Sequence, residues 1–196
     1  MKLSKRIICS VAAVIGLVTG GATLHGSNLT QPVGQVVIAD QPLGQLRISP
    51  KGLEIIGNAE GCRQNPYTCP GGVLTNGIGN THGVPGTPVT LEQVATDWVK
   101  NIQAAERCVM AAESISGKSM SAGQFDAFTS FVFNFGCSKF RKNRDGSDTR
   151  IYRAIKQGRY TQACGHITEW VKSQGVVLEG LVTRRGIERE RCMEVD

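Results

Sequence analysis

Residues 7–24, IICSVAAVIGLVTGGATL, form an uncharged run directly behind Lys2, Lys5 and Arg6. No other feature of the chain restricts its organisation so strongly. As a helix these 18 residues extend about 27 Å, just short of a ~30 Å hydrocarbon layer. Basic residues ahead of such a run hold the N-terminus in the cytoplasm and send the rest of the chain outward. Nine of the eighteen residues are Gly, Ala, Ser or Thr, so the run is a weak permanent anchor and suits a span that enters the bilayer and later leaves it. A cleaved signal peptide is the commoner fate of such a segment, but this one is long for an h-region and no A-x-A site follows it. No second run approaches spanning length, which excludes a multi-span membrane protein.

The seven cysteines agree with export. They include no C-x-x-C pair, and His25, His82 and His166 are scattered, so neither a metal site nor a cofactor is expected. The pattern fits an oxidising compartment, and the odd total leaves at least one thiol outside a stable pair. Residues 27–196 carry 19 basic and 16 acidic side chains. That excess of three is too small to argue for a nucleic-acid partner.

Between Gly26 and Ser49 the chain is polar and holds two offset copies of one pattern, QPVGQVVI (31–38) and QPLGQLRI (41–48). Alternating apolar positions allow two short strands; the simpler expectation is a linker spanning 26–49, lengthened by duplication. Ser49-Pro50 then opens a helix as N-cap and first helical residue. Leu53, Ile56 and Ala59 share one face, Glu60 falls in the last turn, and Gly61 stops the helix. Asn76-Gly77 reads as a hairpin turn. Thr90-x-x-Gln93 and Ser121-x-x-Gln124 are capping boxes. The first precedes a long amphipathic helix through Val94, Trp98, Ala105 and Val109, the second a helix of core phenylalanines. Further helices are expected near 148–157, 161–172 and 183–193. The basic clusters Lys139–Arg144 and Arg184–Arg191 read as solvated surface, with attraction to anionic substrate as the second option. By composition alone, a glycosidase carrying one acid at a helix end is one reading among several.

Longer motifs sharpen that reading. EGCRQNPYTCPGGVLTNGIGNTHG (60–83) resembles the phage-type lysozymes of glycoside hydrolase family 24, whose pattern of Glu, eight residues, Asp or Cys, five residues, Thr falls on Glu60, Cys69 and Thr75. The resemblance continues in QFDAFTSFVFNFG (124–136), Trp170 and GLVTRRGIERERC (180–192), in the family's order. In detail it is similar to the signal-anchor-release endolysins, whose N-terminal span is not cleaved. One departure is Gly79-Asn80, where many members have Gly-His.

The resemblance implies an α+β fold with two lobes, a small one bearing a β-hairpin and a larger helical one, joined by a long helix, with an N-terminal membrane helix ahead of them. It divides the chain into residues 1–25 (signal-anchor-release segment), 26–49 (linker) and 50–196 (catalytic domain). The implied activity is hydrolysis of the β-1,4 bond between N-acetylmuramic acid and N-acetylglucosamine in peptidoglycan, with Glu60 as general acid and Thr75 positioning the water or Cys69. A thiol has a reference pKa of about 8.5, so whether Cys69 activates water, stabilises an oxocarbenium-like state or acts as nucleophile stays open, as do the inverting and retaining courses. Structural disulfides Cys108–Cys137 and Cys164–Cys192 follow from where the family fold returns those segments. The remaining cysteines, Cys9, Cys62 and Cys69, suit a regulatory exchange: Cys62–Cys69 while the N-terminal segment lies in the membrane, Cys9–Cys62 after release. The expected partners are peptidoglycan and the host inner membrane, contacted through residues 7–24; the protein is expected to be a monomer, facing and then released to the periplasm. Two alternatives remain: a non-catalytic wall-binding protein of this fold, favoured by Cys69, and a secreted bacterial lysozyme with a cleaved signal.

Overall fold

The computed structural model describes residues 9–21, 26–69 and 72–194. The first element is α1 (Val11–Val18), capped by Ser10, whose side chain accepts from the Ala13 N–H. It occupies only part of the apolar run, of which residues 7–8 and 22–24 lie outside the described residues. Val14, Ile15 and Val18 are buried in the core of the smaller lobe. Among the described residues no helix is long and apolar enough to cross a membrane, so the expected membrane helix is not the conformation present here.

The stretch expected to be a linker contains a short 3-10 helix (Gly26–Leu29) and an antiparallel hairpin, β1 (Gly34–Ile38) and β2 (Gln41–Leu46). The two copies of the repeat pair with each other, Gly34 opposite Leu46 and Val36 opposite Gly44. Ala39 and Asp40 make the two-residue turn, both at positive φ (48° and 61°), as a right-twisted two-residue hairpin requires. Val36, Ile38, Leu46 and Ile48 are buried. The hairpin therefore owes its stability to burial of one face against the lobe's core.

Next comes α2 (Pro50–Glu60), where the Ser49 hydroxyl accepts from the Gly52 N–H at 3.1 Å, and Leu53 and Ile56 are buried. A second hairpin pairs β3 (Arg63–Thr68) with β4 (Leu74–Gly77). A turn does form at Asn76-Gly77, as the sequence reading has it, but it lies beyond the β3–β4 connection. In it Asn76 and Asn80 exchange two backbone hydrogen bonds of 2.9 Å around Gly77, Ile78 and Gly79.

The long helix α3 (Leu91–Ser116), about 39 Å at 1.5 Å per residue, runs through both lobes. Val94, Trp98 and Ile102 pack in the small-lobe core, and Ala105, Val109 and Ala112 join the larger core. That core is built on α4 (Ala122–Phe135), where Phe125, Phe128 and Phe131 are buried. Around it lie α5 (Cys137–Arg141), α6 (Arg150–Lys156), α7 (Tyr160–Gly165) with a 3-10 turn (His166–Glu169), a two-residue hairpin of β5 (Lys172–Ser173) and β6 (Val176–Val177), and α8 (Glu179–Met193). The last helix starts earlier than the sequence pattern indicated. Disulfides link Cys108 to Cys137, Cys164 to Cys192, and Cys9 to Cys62.

Candidate active site

Glu60 is the final residue of α2, and Gly61 behind it takes φ 70°, a conformation that glycine adopts at little cost. This ends the helix at the carboxylate and turns the chain into β3. Gly79 faces it from the turn after β4. A Cβ on Gly79 would sit 2.9 Å from Glu60 Oε2, and its φ is +67°. Glycine is thus required there twice, for the backbone and for the space. Asn80, beside it, is fully engaged. Its Nδ2 donates to Asn76 Oδ1 (2.9 Å) and to the His82 carbonyl (3.0 Å), while its Oδ1 accepts from the His82 N–H (3.2 Å) and from Asn101 Nδ2 on α3 (3.1 Å). Asn80 is the pin that ties the turn to α3.

Cys69 and Thr75 meet at one carbonyl. The Cys69 N–H donates to the Val73 oxygen at 2.9 Å, and the Thr75 hydroxyl donates to the same oxygen at 3.0 Å. Cys69 is half-buried and outside the three disulfides. Thr75 is buried, and its hydroxyl is turned to the local backbone. The structure thus sets Gly79 against Glu60, while Thr75 lies in β4 and Cys69 directly after β3, both bonded to the Val73 carbonyl.

A polar cluster absent from the sequence reading supports Glu60 from the larger lobe. Arg184 on α8, 6% exposed, donates from Nη1 to Glu60 Oε1 at 2.6 Å, from Nε to Glu188 Oε1 at 3.1 Å, and from Nη2 to the Ser130 carbonyl at 3.3 Å. Ser130 Oγ donates to Glu188 at 2.6 Å. Arg185 pairs with the other oxygen of Glu188, donates to Asn134 at 2.5 Å, and lies over the rings of Phe131 and Phe135. Burial pulls the Arg185 guanidinium down to about 10, and the Glu188 charge opposes that; it stays protonated at neutral pH. Arg184, Arg185 and Arg191 are therefore interior ion-pair residues, which corrects the solvated-surface reading for these three; Arg189 is exposed, as that reading has it. The Arg184–Glu188 spacing of four on one helix face was the local signal available. Glu60, 124 residues from Arg184, was not.

Two hollows lie nearby, one reaching the Gly79 turn that faces this carboxylate and the other reaching the carboxylate itself. One, of about 220 Å³, lies between the lobes and is lined by Gly79, Thr81 and His82 on one side and Phe133 and Gly136 on the other. The second, of about 810 Å³, is a groove between α2 and α8 that reaches Glu60, Asn134 and Arg184. The interlobe hollow is smaller, yet it is where the two lobes oppose each other beside the Gly79–Glu60 contact.

A carboxylic acid that closes a helix, faced by a hairpin across an interlobe cleft in an α+β fold, defines a lysozyme-like glycoside hydrolase. The sequence profile described as Phage lysozyme matches residues 57–188. The chain belongs to that family and is a muramidase. It is 41% identical over 179 residues to the SAR-endolysin of Escherichia phage P1, covering 88% of this chain and 96% of the relative. It is 37% identical to the SAR-endolysin of Haemophilus phage HP1 (strain HP1c1), covering 98% and 97%. The fold superposes on the crystal structure of the active form of P1 phage endolysin Lyz with a TM-score of 0.75 at 40% identity, covering 95% of this chain and 94% of that one.

Proposed function

We propose that this muramidase is a signal-anchor-release endolysin that cleaves host peptidoglycan to free phage, with Glu60 as general acid. Glu60 would protonate the leaving glycosidic oxygen, and Thr75 would place Cys69 or a water on the opposite face. A hydrogen bond from Arg184 and close packing on Gly79 hold the acid in one position, which is where catalysis gains most from a fixed geometry.

The observation that carries the regulatory part is the pairing of the cysteines. Cys9 is bonded to Cys62, while Cys69 remains a thiol. Val14, Ile15 and Val18 of the apolar run fill the small-lobe core in this same state. With residues 7–24 in the host inner membrane, Cys9 would be out of reach and Cys62 would pair with Cys69, removing the sulfur from the site. On release into the periplasm, the Cys9 thiolate attacks Sγ of Cys62, the Cys9–Cys62 bond forms as the Cys62–Cys69 bond breaks, and Cys69 leaves as thiolate. No external oxidant or reductant enters this exchange. Burial of α1 in the lobe then supplies an apolar surface for a segment that has left the bilayer.

The experiment is lysis of induced cells by wild type, Glu60→Gln and Cys9→Ser. Glu60→Gln should be exported and folded but give no lysis. Cys9→Ser should be exported yet silent until a reductant is added. Lysis by Glu60→Gln would remove the acid assignment; lysis on schedule by Cys9→Ser without reductant would remove the exchange.

A further inference from the structure

The positive charge of the folded chain is concentrated in one segment. Residues 27–196 carry a net charge of +3, whereas residues 137–169 alone hold eight basic and three acidic side chains, a net +5. On this face a hollow of about 370 Å³ opens between α6 and α7. Six of its seven lining residues are polar or charged: Arg150, Arg153, Gln157, Arg159, Gln162 and His166.

Neutralisation around this hollow is incomplete. Asp148 is taken by Lys142 and Lys156, at 2.8 and 2.5 Å. Glu169 on the rim is shared by Arg150 (3.3 Å) and His166 (2.8 Å). Arg153 donates only to the Asp148 carbonyl (3.1 Å) and Arg159 only to the Gln162 side chain (3.4 Å), so neither meets a carboxylate among the described residues. The walls are held in place: Gly158 turns the chain between the helices at φ 65°, and the Tyr160 hydroxyl is fixed at 2.6 Å to both Ser116 Oγ and the Lys118 carbonyl.

We propose that this hollow is a phosphate-binding site. Two guanidiniums without a carboxylate and a third shared with Glu169 match a group with several terminal oxygens and up to two negative charges. Planar N–H forks pair bidentately with such oxygens, and the Gln157 and Gln162 amides add neutral donors. The volume exceeds a bare phosphate and admits a substituent on it. Tyr160 meets α3 at Ser116, fifteen residues beyond Asn101 and its contact with the turn facing Glu60, which places the hollow about 22 Å along the helix from that turn. Its occupant is therefore separate from the sugars at the cleavage point. A phosphate on a lipid headgroup would hold the larger lobe at an anionic bilayer; free phosphate would fill the site without doing so.

The test uses the full oxidised chain with two double variants of equal charge. Arg153→Gln/Arg159→Gln alters the hollow; Lys139→Gln/Arg144→Gln removes two exposed charges from the same segment outside it. All four side chains are exposed, so both variants should keep the wild-type melting temperature. Inorganic phosphate is titrated by calorimetry, and phosphatidylglycerol or phosphatidylcholine vesicles are used in co-sedimentation. Phosphate should bind wild type and the outside variant alike, and the hollow variant at least about tenfold more weakly. Retention on phosphatidylglycerol that only the hollow variant loses identifies a headgroup source; phosphate binding without vesicle retention identifies the free anion. Absence of phosphate binding to wild type, or equal weakening in both variants, overturns the proposal.

Discussion

Glu106→Gln is expected to stabilise this protein at neutral and higher pH and to flatten a decline in stability that the wild type shows as pH rises. Glu106 sits on α3, 3% exposed, with Oε1 accepting the Ile48 N–H at 2.6 Å. Burial, the largest influence, drives its carboxyl from 4.5 up to about 7, against the backbone N–H groups of Ile48 and Arg47 and the Arg47 charge. The folded state therefore keeps the Glu106 proton to higher pH than the unfolded chain does. Folding is unpenalised below the unfolded value and loses stability as pH climbs to the folded one. A shift of that size corresponds to about 3 kcal/mol, essentially complete by about pH 8, a large share of the 5–15 kcal/mol typical of a domain. Glutamine keeps the carbonyl that accepts from Ile48 and does not ionise, but brings an amide N–H₂ into a buried site. The net gain at pH 8 should therefore be about 1–2 kcal/mol. Guanidinium unfolding of both proteins at pH 5, 6, 7 and 8, with disulfides intact, reads this directly. Asp126 is also raised by burial, so the diagnostic quantity is the difference between the two profiles. Parallel profiles would refute the reasoning.

Two further outcomes follow from the site. Arg184→Gln should lower stability by about 1.5–3 kcal/mol, because it removes a charged donor from half-buried Glu60 and from buried Glu188, which keeps Arg185 and Ser130; a double-mutant cycle with Glu60→Gln, followed by thermal unfolding, should return a coupling of about 1.5–3 kcal/mol between the two side chains, and additivity would disprove that they act together. Gly79→Ala should cost about 1–2 kcal/mol for the left-handed backbone and, by pushing on Glu60 Oε2, cut turnover of cell-wall substrate by about a hundredfold; a variant with wild-type turnover would show that Glu60 is not held by this contact.

What the sequence made legible was chiefly what a few adjacent residues encode. Ser49-Pro50, Thr90 and Ser121 start helices where the chain carries local capping chemistry, and Glu60 before Gly61 marks the acid's place. The β1–β2 hairpin was less legible because Gly34, Gly44 and Pro42 dilute its strand character. Its formation depends on burying Val36, Ile38, Leu46 and Ile48, a tertiary effect that local pattern undervalues. The interior arginines were illegible for a stronger reason. A charged residue reads as exposed unless its partner is known, and Arg184 and Arg191 find Glu60 and Asp126 at 124 and 65 residues' distance.

Those distant partners explain how one helix fixes the acid. At the start of α2, the Ser49 N–H and hydroxyl both bond to Asp126, at 2.8 and 2.5 Å, and Arg191 holds Asp126 at 2.8 Å. At its end, Arg184 holds Glu60. Arg184 and Arg191 are seven residues apart, two turns on one face of α8. A single face of α8 therefore braces α2 at both ends, once through Asp126 and once directly. Cys192, next to Arg191, is tied to Cys164 on α7, so the brace is itself anchored in the larger core. Leu53 and Ile56 of the same helix α2 are buried in the smaller core, and Gly79 meets Glu60 from that lobe. Glu60 is thus fixed from both lobes, by Arg184 and Asp126 on one side and by the Gly77–Gly79 turn on the other, so a change in either lobe's contact is expected to displace the acid.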